Sequence, residues 1–127
     1  MAYLIVFLGT GIGGALRHGV NVATARLLGT GFPAWTMIVN ILGSLAMGLL
    51  GGWFLARPGF SQEARLFLTT GLLGGFTTFS AYSLDTATLI HRGQWTLALA
   101  YAGGSVVASI AALFAGLWLV RGGATLP

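Results

Sequence analysis

The stretch Gly71–Tyr82, GLLGGFTTFSAY, decides the fold of this chain. It lies inside an apolar segment long enough to cross a bilayer, yet it holds three glycines, three serine or threonine hydroxyls and three aromatic rings. In hydrocarbon every backbone polar group needs a partner, so helix-weakening sequence persists at membrane depth only where protein buries it or a polar pathway passes it. We therefore predict a helix that is broken near the membrane midplane.

The composition predicts an all-α integral membrane protein. Hydrophobic residues make up 56% of the 127 residues and charged residues 6%, whereas soluble domains are about a quarter charged. The absence of cysteine excludes disulfides and thiolate metal sites. The net charge of +4 comes from arginines, which suit contact with anionic lipid headgroups, so nucleic acid is not an expected partner.

The hydropathy pattern predicts one domain, 1–127, with four transmembrane helices. A span needs roughly 20 helical residues, and four apolar segments meet that length at about 2–28, 35–55, 65–90 and 96–120. The segments between them contain glycine or proline with polar residues, which is typical of turns. Ser61 is the expected N-cap of the third helix.

The basic residues hardly specify an orientation. Arg57, Arg65 and Arg121 fall on the side of the N-terminus, against Arg26 and Arg92 on the other. Because topology follows an excess of basic residues on one side, we expect the chain to insert in both orientations. The alternative is that this modest charge bias is sufficient to fix one orientation. Rows of small residues in spans two and four allow close helix packing. Two such rows on so small a bundle indicate an oligomer.

Polar side chains recur at one-turn spacing within the predicted spans. Single serines and threonines usually bond back to their own helix, as expected for Ser44, Thr86 and Thr88. Whole rows on one face predict a hydrated track instead, because an unpartnered buried hydroxyl costs about 1–3 kcal/mol. The rows are Thr36 with Asn40, Tyr101 with Ser105 and Ser109, and the cluster of Thr77, Thr78, Ser80 and Ser83.

The track suits a small, strongly hydrated anion. The acidic residues are Glu63, in a loop, and Asp85, which we expect near the interface beside His91 or Arg92. A cation pathway normally keeps a carboxylate at membrane depth, whereas this track offers hydrogen-bond donors and the positive edges of aromatic rings. The donors and rings are those of Asn40, the hydroxyl side chains, Phe79 and Tyr82. Arg17, inside span one, would attract anions into a vestibule.

Three other functions fit less well. No nucleophile and base set, phosphate loop or cofactor fingerprint is present, so we do not expect an enzyme. A small dual-topology, proton-coupled exporter of cationic compounds is the alternative, but it needs a glutamate in span one, which has none. A non-transporting assembly subunit would explain the glycines but not Asn40 or the hydroxyl rows.

The segment Gly74–Tyr82, GGFTTFSAY, resembles the GG-x-TTFSTF signature of the Fluc (CrcB) fluoride channels. Four spans over nearly the whole chain agree with that resemblance. So do Val39-Asn40 leading into Gly43, Ala15-Leu16-Arg17, and Tyr101-Ala102-Gly103 followed by Ser105 and Ser109. The sequence departs from the signature at Ala81 and Tyr82, where the family usually has threonine and phenylalanine.

The resemblance implies a dual-topology, antiparallel homodimer with two pores that exports fluoride passively from the bacterial cytoplasm across the inner membrane. It implies that Asn40 and Phe79 touch the ion, with Tyr82 in place of the second phenylalanine. It further implies a polar track of Tyr101, Ser105 and Ser109 with Arg17 in the vestibule, to which the residue pattern adds Thr36 and Thr78. A central sodium ion at the dimer axis would be held by the backbone carbonyls of Gly74 and Thr77.

Overall fold

The computed structural model describes residues 1–121, which form helices and the turns between them without any strand. Three helices are long and apolar enough to cross a membrane: α1 (Ala2–Leu28), α2 (Ala34–Ala56) and α6 (Trp95–Arg121). Their ends lie within one residue of the predicted bounds. The all-α class and three of the predicted spans are thus confirmed.

The predicted third span consists of several shorter pieces. These are α3 (Gln62–Leu66), a π-helix (Phe67–Leu73), α4 (Gly74–Phe76) and α5 (Phe79–His91). Between α4 and α5 the backbone is extended, with φ −87° and ψ 159° at Thr77 and φ −153° and ψ 120° at Thr78. The passage of these combined pieces across the membrane stays a prediction.

Local capping explains where the short helices begin. Ser61 Oγ accepts a hydrogen bond from the Ala64 amide at 3.1 Å, which confirms the predicted N-cap of α3. Thr78 does the same for α5, because its Oγ1 accepts from the Ala81 amide at 3.2 Å. A hydroxyl at the N-cap satisfies an amide that has no partner within the helix. The chain therefore resumes its helix immediately after the extended pair.

Helices α2 and α6 pack through glycines that face each other's backbone. A Cβ added at Gly116 would lie 2.7 Å from the Leu49 amide nitrogen, and one at Gly48 would overlap the Leu113 carbonyl. Close backbone approach of this kind holds helices together in lipid. Glycines of both small-residue rows are therefore used in packing within one chain. The oligomer that the rows predict stays a prediction.

Helix α1 packs against the π-helix in the same way. A Cβ at Gly9 would lie 2.9 Å from the Gly71 Cα, and Gly75 lies against the backbone of Thr10. A Cβ at Gly13 would overlap the Leu72 carbonyl and lie 2.9 Å from the Phe76 amide nitrogen. The irregular segment that leads into the extended pair is thus fixed to α1 by backbone contact.

Replacing Gly13 by alanine should destabilise the protein. The new Cβ would overlap the Leu72 carbonyl and lie 2.9 Å from the Phe76 nitrogen, and overpacking of this kind typically costs about 1–3 kcal/mol. Gly14→Ala is the matched control, because a Cβ there meets nothing within 4 Å. Thermal unfolding of the detergent-solubilised protein checks this. Equal melting temperatures for the two variants would contradict the packing described for α1.

Candidate functional site

A groove of about 410 Å³, open on one side, lies between α2, the extended pair, α5 and α6. Six of the eight residues predicted for the pore line it: Asn40, Thr78, Phe79, Tyr82, Ser105 and Ser109. Thr77 and Ser44 line it as well, and Met47, Val106, Ile110 and Leu113 supply much of its apolar wall. Carboxylates are absent from its lining within the described part of the chain. The groove is therefore an apolar cleft with a few polar groups.

The Asn40 side chain holds the extended pair in place. Its Nδ2 donates to the Thr78 carbonyl at 3.0 Å, and its Oδ1 accepts from the Thr78 amide at 2.8 Å. The extended conformation takes both Thr78 backbone groups out of the helical pattern, so each needs such a partner. A carboxamide has two N–H donors. One N–H of Asn40 therefore remains for a ligand.

Ser105 supplies a second donor. The residue is 3% exposed, and its Oγ has no hydrogen-bond partner within residues 1–121. A buried hydroxyl without a partner is costly, and this one borders the groove. Ser109, one turn further along α6, borders the groove too. The Ser105 hydroxyl thus lies beside the groove without a partner among the described residues.

Two aromatic rings, Phe79 and Tyr82, border the groove from α5. Phe79 is 77% exposed, and its ring centroid lies 5.3 Å from that of Tyr82. The Tyr82 hydroxyl donates to the Ala102 carbonyl of α6 at 2.9 Å. In the structure its hydrogen is used inside the protein, so the hydroxyl joins α5 to α6.

Tyr101 and Thr36 are not brought to the groove. Tyr101 is 0% exposed and Thr36 2%. The Tyr101 hydroxyl donates to Asp85 Oδ2 at 3.0 Å. The sequence had predicted His91 or Arg92 as the neighbour of Asp85. Tyr101 and Asp85 lie on different helices, so no local spacing could reveal this pair. The predicted row on α6 is therefore divided, with its serines at the groove and its tyrosine buried.

The remaining predicted residues add no hydrogen-bond donor to the groove. Arg17 is partly exposed on α1 and does not line it, and Gly74 is exposed in α4. The Thr77 hydroxyl bonds back to the Leu73 carbonyl at 2.9 Å. Thr86 and Thr88 likewise bond back within α5. This confirms the expectation for those two threonines.

Comparison with known proteins shows which sequences this chain is similar to. The sequence model of the family described as "CrcB-like protein, Camphor Resistance (CrcB)" matches residues 4–117. A relative from Methylobacterium nodulans named "Fluoride-specific ion channel FluC" is 61% identical over 118 residues, which cover 93% of this chain and 94% of the relative.

Proteins of the same name occur in other bacteria. One from a Methylobacterium species is 58% identical, over 93% of this chain and 94% of its own length. Another, from Rhodopseudomonas palustris, is 55% identical over 121 residues, with coverages of 95% and 98%. Identities this high over nearly full lengths, together with the family match, leave one conclusion. The chain belongs to the CrcB-like protein family.

Proposed function

We propose that this chain is a fluoride channel that lets fluoride leave the cytoplasm passively and so protects the cell from fluoride toxicity. The relatives' names support this, and the chain, with its long apolar helices, is a multi-pass protein of the bacterial inner membrane. One structural observation carries the proposal. The spare N–H of Asn40, the Ser105 hydroxyl and the exposed Phe79 ring all border one groove.

The chemistry of the groove suits fluoride. Fluoride is small and strongly hydrated, so a protein must replace its water with hydrogen-bond donors. Asn40 and Ser105 provide an N–H and an O–H, and the ring of Phe79 provides an electropositive edge. No carboxylate of residues 1–121 lies at the groove, so the groove offers cations little electrostatic stabilisation. Conduction by a channel of this kind makes and breaks no covalent bond, so the chain is not an enzyme.

We extend the proposal to the arrangement in the membrane. The pieces from α3 to α5 would together form the third of four spans, broken near the midplane at Thr77 and Thr78. Two copies would associate antiparallel, each contributing a groove to one of two pores. The open side of the groove and the 77% exposure of Phe79 support this, because a second copy would cover both.

The same arrangement supports a structural sodium ion at the dimer axis. An antiparallel dimer has its two-fold axis in the membrane plane, so the breaks of both chains would meet there. Gly74 is exposed, and the extended backbone of Thr77 takes its carbonyl out of the helical direction. Backbone carbonyls are suitable ligands for an alkali cation.

The other predicted residues take proposed roles outside the groove. Arg17 would draw anions into a vestibule through its charge. Thr36 and Tyr101 would continue the path beyond Ser105, on the side of the loop between α1 and α2.

Efflux from liposomes tests the function directly. Purified protein in liposomes loaded with fluoride should release it when a potassium carrier balances the charge, and liposomes loaded with chloride under the same gradient should retain their anion. Ion-selective electrodes follow both anions. Comparable release of chloride, or no release of fluoride, would refute the proposal.

Substitution of Asn40 by alanine or aspartate should lower fluoride efflux at least tenfold. Either change leaves the Thr78 carbonyl without its donor, which costs about 1–3 kcal/mol, and aspartate also places a negative charge beside the ion. Asn21→Ala is the control, because Asn21 lies on α1 away from the groove. Size-exclusion chromatography should show an unchanged assembly. Near-parental efflux in Asn40→Asp would remove this residue from the pore.

The two rings should respond differently to substitution. Phe79→Ile should reduce efflux sharply, because an aliphatic side chain lacks the positive ring edge. Tyr82→Phe removes the hydroxyl that donates to Ala102 but keeps the ring, so fluoride efflux should be at least that of the parent. If Tyr82→Phe were inactive while folded, the hydroxyl would be essential to conduction and this assignment would fail.

Charge changes should separate the two orientations. Adding two lysines to the loop before α3 should bias all chains one way by the positive-inside rule, so antiparallel pairs and fluoride efflux should both be lost. Co-expression with a copy that carries lysines beside Arg92 should restore efflux. Full activity of either variant alone, with accessibility labelling showing one orientation, would rule out the antiparallel dimer.

A further inference from the structure

The polar row of α6 enters a closed region at Tyr101. Ser105 and Ser109 border the groove, whereas Tyr101, one turn before Ser105, has no exposed surface. Helix α6 begins at Trp95, and the loop between α1 and α2 lies at this same end of the bundle. An ion that followed the row toward water at this end would have to pass Tyr101. Whatever covers Tyr101 therefore closes the path.

Aromatic rings cover Tyr101 on two sides. The Phe32 ring meets it edge to face, with centroids 5.6 Å apart and planes at 87°. The Tyr82 ring lies on it with centroids 5.5 Å apart. Together with Phe79, these rings form a continuous series from the loop to the groove. The Tyr101 hydroxyl is held by Asp85.

Phe32 differs from the other residues around Tyr101 in its backbone. The rest of that cluster, namely Met37, Tyr82, Leu89, Ile90 and Ala98, lies on helices. Phe32 lies in the bend after Gly29, which has φ 78°. A Cβ added at Gly29 or Gly31 would meet nothing within 4 Å, so the loop before Phe32 is loosely surrounded. The Phe32 ring can therefore turn about its side-chain bonds while its carbonyl keeps the hydrogen bond from the Ala34 amide at 2.7 Å.

We propose that Phe32 closes one mouth of the ion pathway, at the loop between α1 and α2. When the ring turns away, water and ions reach Thr36 and the Tyr101 hydroxyl. When it returns, its edge-to-face contact seals the end of the row. This inference rests on the proposed function, since it takes the α6 row as the path of the ion.

The energetics permit such a movement. One edge-to-face pair shifts the equilibrium between the closed and the open position of the ring by roughly two- to tenfold. Phe32 is already partly exposed. Loss of this one contact is small enough for the Phe32 ring to leave Tyr101 frequently. Movement of Tyr82 would also break its bond to Ala102. Of the two rings on Tyr101, Phe32 is therefore the one that opens.

The first test measures access to Thr36. The chain has no cysteine, so Thr36→Cys introduces a single thiol beside the Tyr101 hydroxyl at a position that is 2% exposed. Its reaction with the small neutral reagent methyl methanethiosulfonate should become about two- to tenfold faster when Phe32→Ala is added. Phe32→Tyr keeps the ring and should react as the parent does.

Phe60→Ala is the matched control. Phe60 is also a loop aromatic with edge-to-face partners, Trp53 and Phe54, but it lies in the loop at the opposite end of the bundle. It should leave the labelling rate at Thr36→Cys unchanged. Should Phe32→Ala fail to fold, Phe32→Leu keeps the apolar bulk without the ring edge and should accelerate labelling as well.

The second test measures fluoride efflux. Phe32→Ala or Phe32→Leu should conduct at least as fast as the parent, because the mouth opens more often. An unchanged labelling rate at Thr36→Cys, or a loss of efflux in a folded variant, would overturn the proposal. Both results leave the fluoride function intact if the parent conducts. Failure of the parent to conduct would instead refute the function itself.

Discussion

The two hydrogen bonds between Asn40 and the Thr78 peptide are the constraint on which the rest of the site depends. An extended pair of residues within apolar surroundings is costly unless its backbone groups have partners. Asn40 supplies a donor and an acceptor at 3.0 and 2.8 Å. Thr78 is thereby oriented to cap α5, and α5 then begins with Phe79 at the edge of the groove. One carboxamide thus connects α2, the break and the first ring of the site.

Several hydrogen-bond donors around the site are already used. Tyr82 donates to Ala102, Tyr101 to Asp85, and Thr77 to Leu73. One N–H on Asn40 remains, together with the hydroxyl of Ser105, which has no partner among the described residues. Ser44 and Ser109 add two more hydroxyls at the edge of the groove. The donors that remain therefore suit a small, strongly hydrated anion, which must exchange its water for hydrogen bonds.

Sequence patterns predicted the elements whose causes are local. The bounds of α1, α2 and α6 followed from hydropathy, and the α3 cap followed from a hydroxyl beside an apolar run. The pairing of Tyr101 with Asp85 could not be predicted, because it joins side chains on two helices. The π-helix Phe67–Leu73 had no recognisable signal either. Its extra residue per turn is supported by contact with the α1 glycines, which local sequence does not show.

Those glycine contacts also determine which parts of the site can change shape. Two walls of the groove, α2 and α6, are fixed backbone to backbone at Gly48 against Leu113, and the segment that leads into the extended pair is fixed to α1 at Gly13 against Leu72. Packed interfaces of this kind have discrete arrangements and do not deform gradually. Variation in the width of the path must then arise from side chains at its ends. Phe79, which is 77% exposed at the groove, and Phe32, which lies in a loop, are the rings best placed to provide that variation.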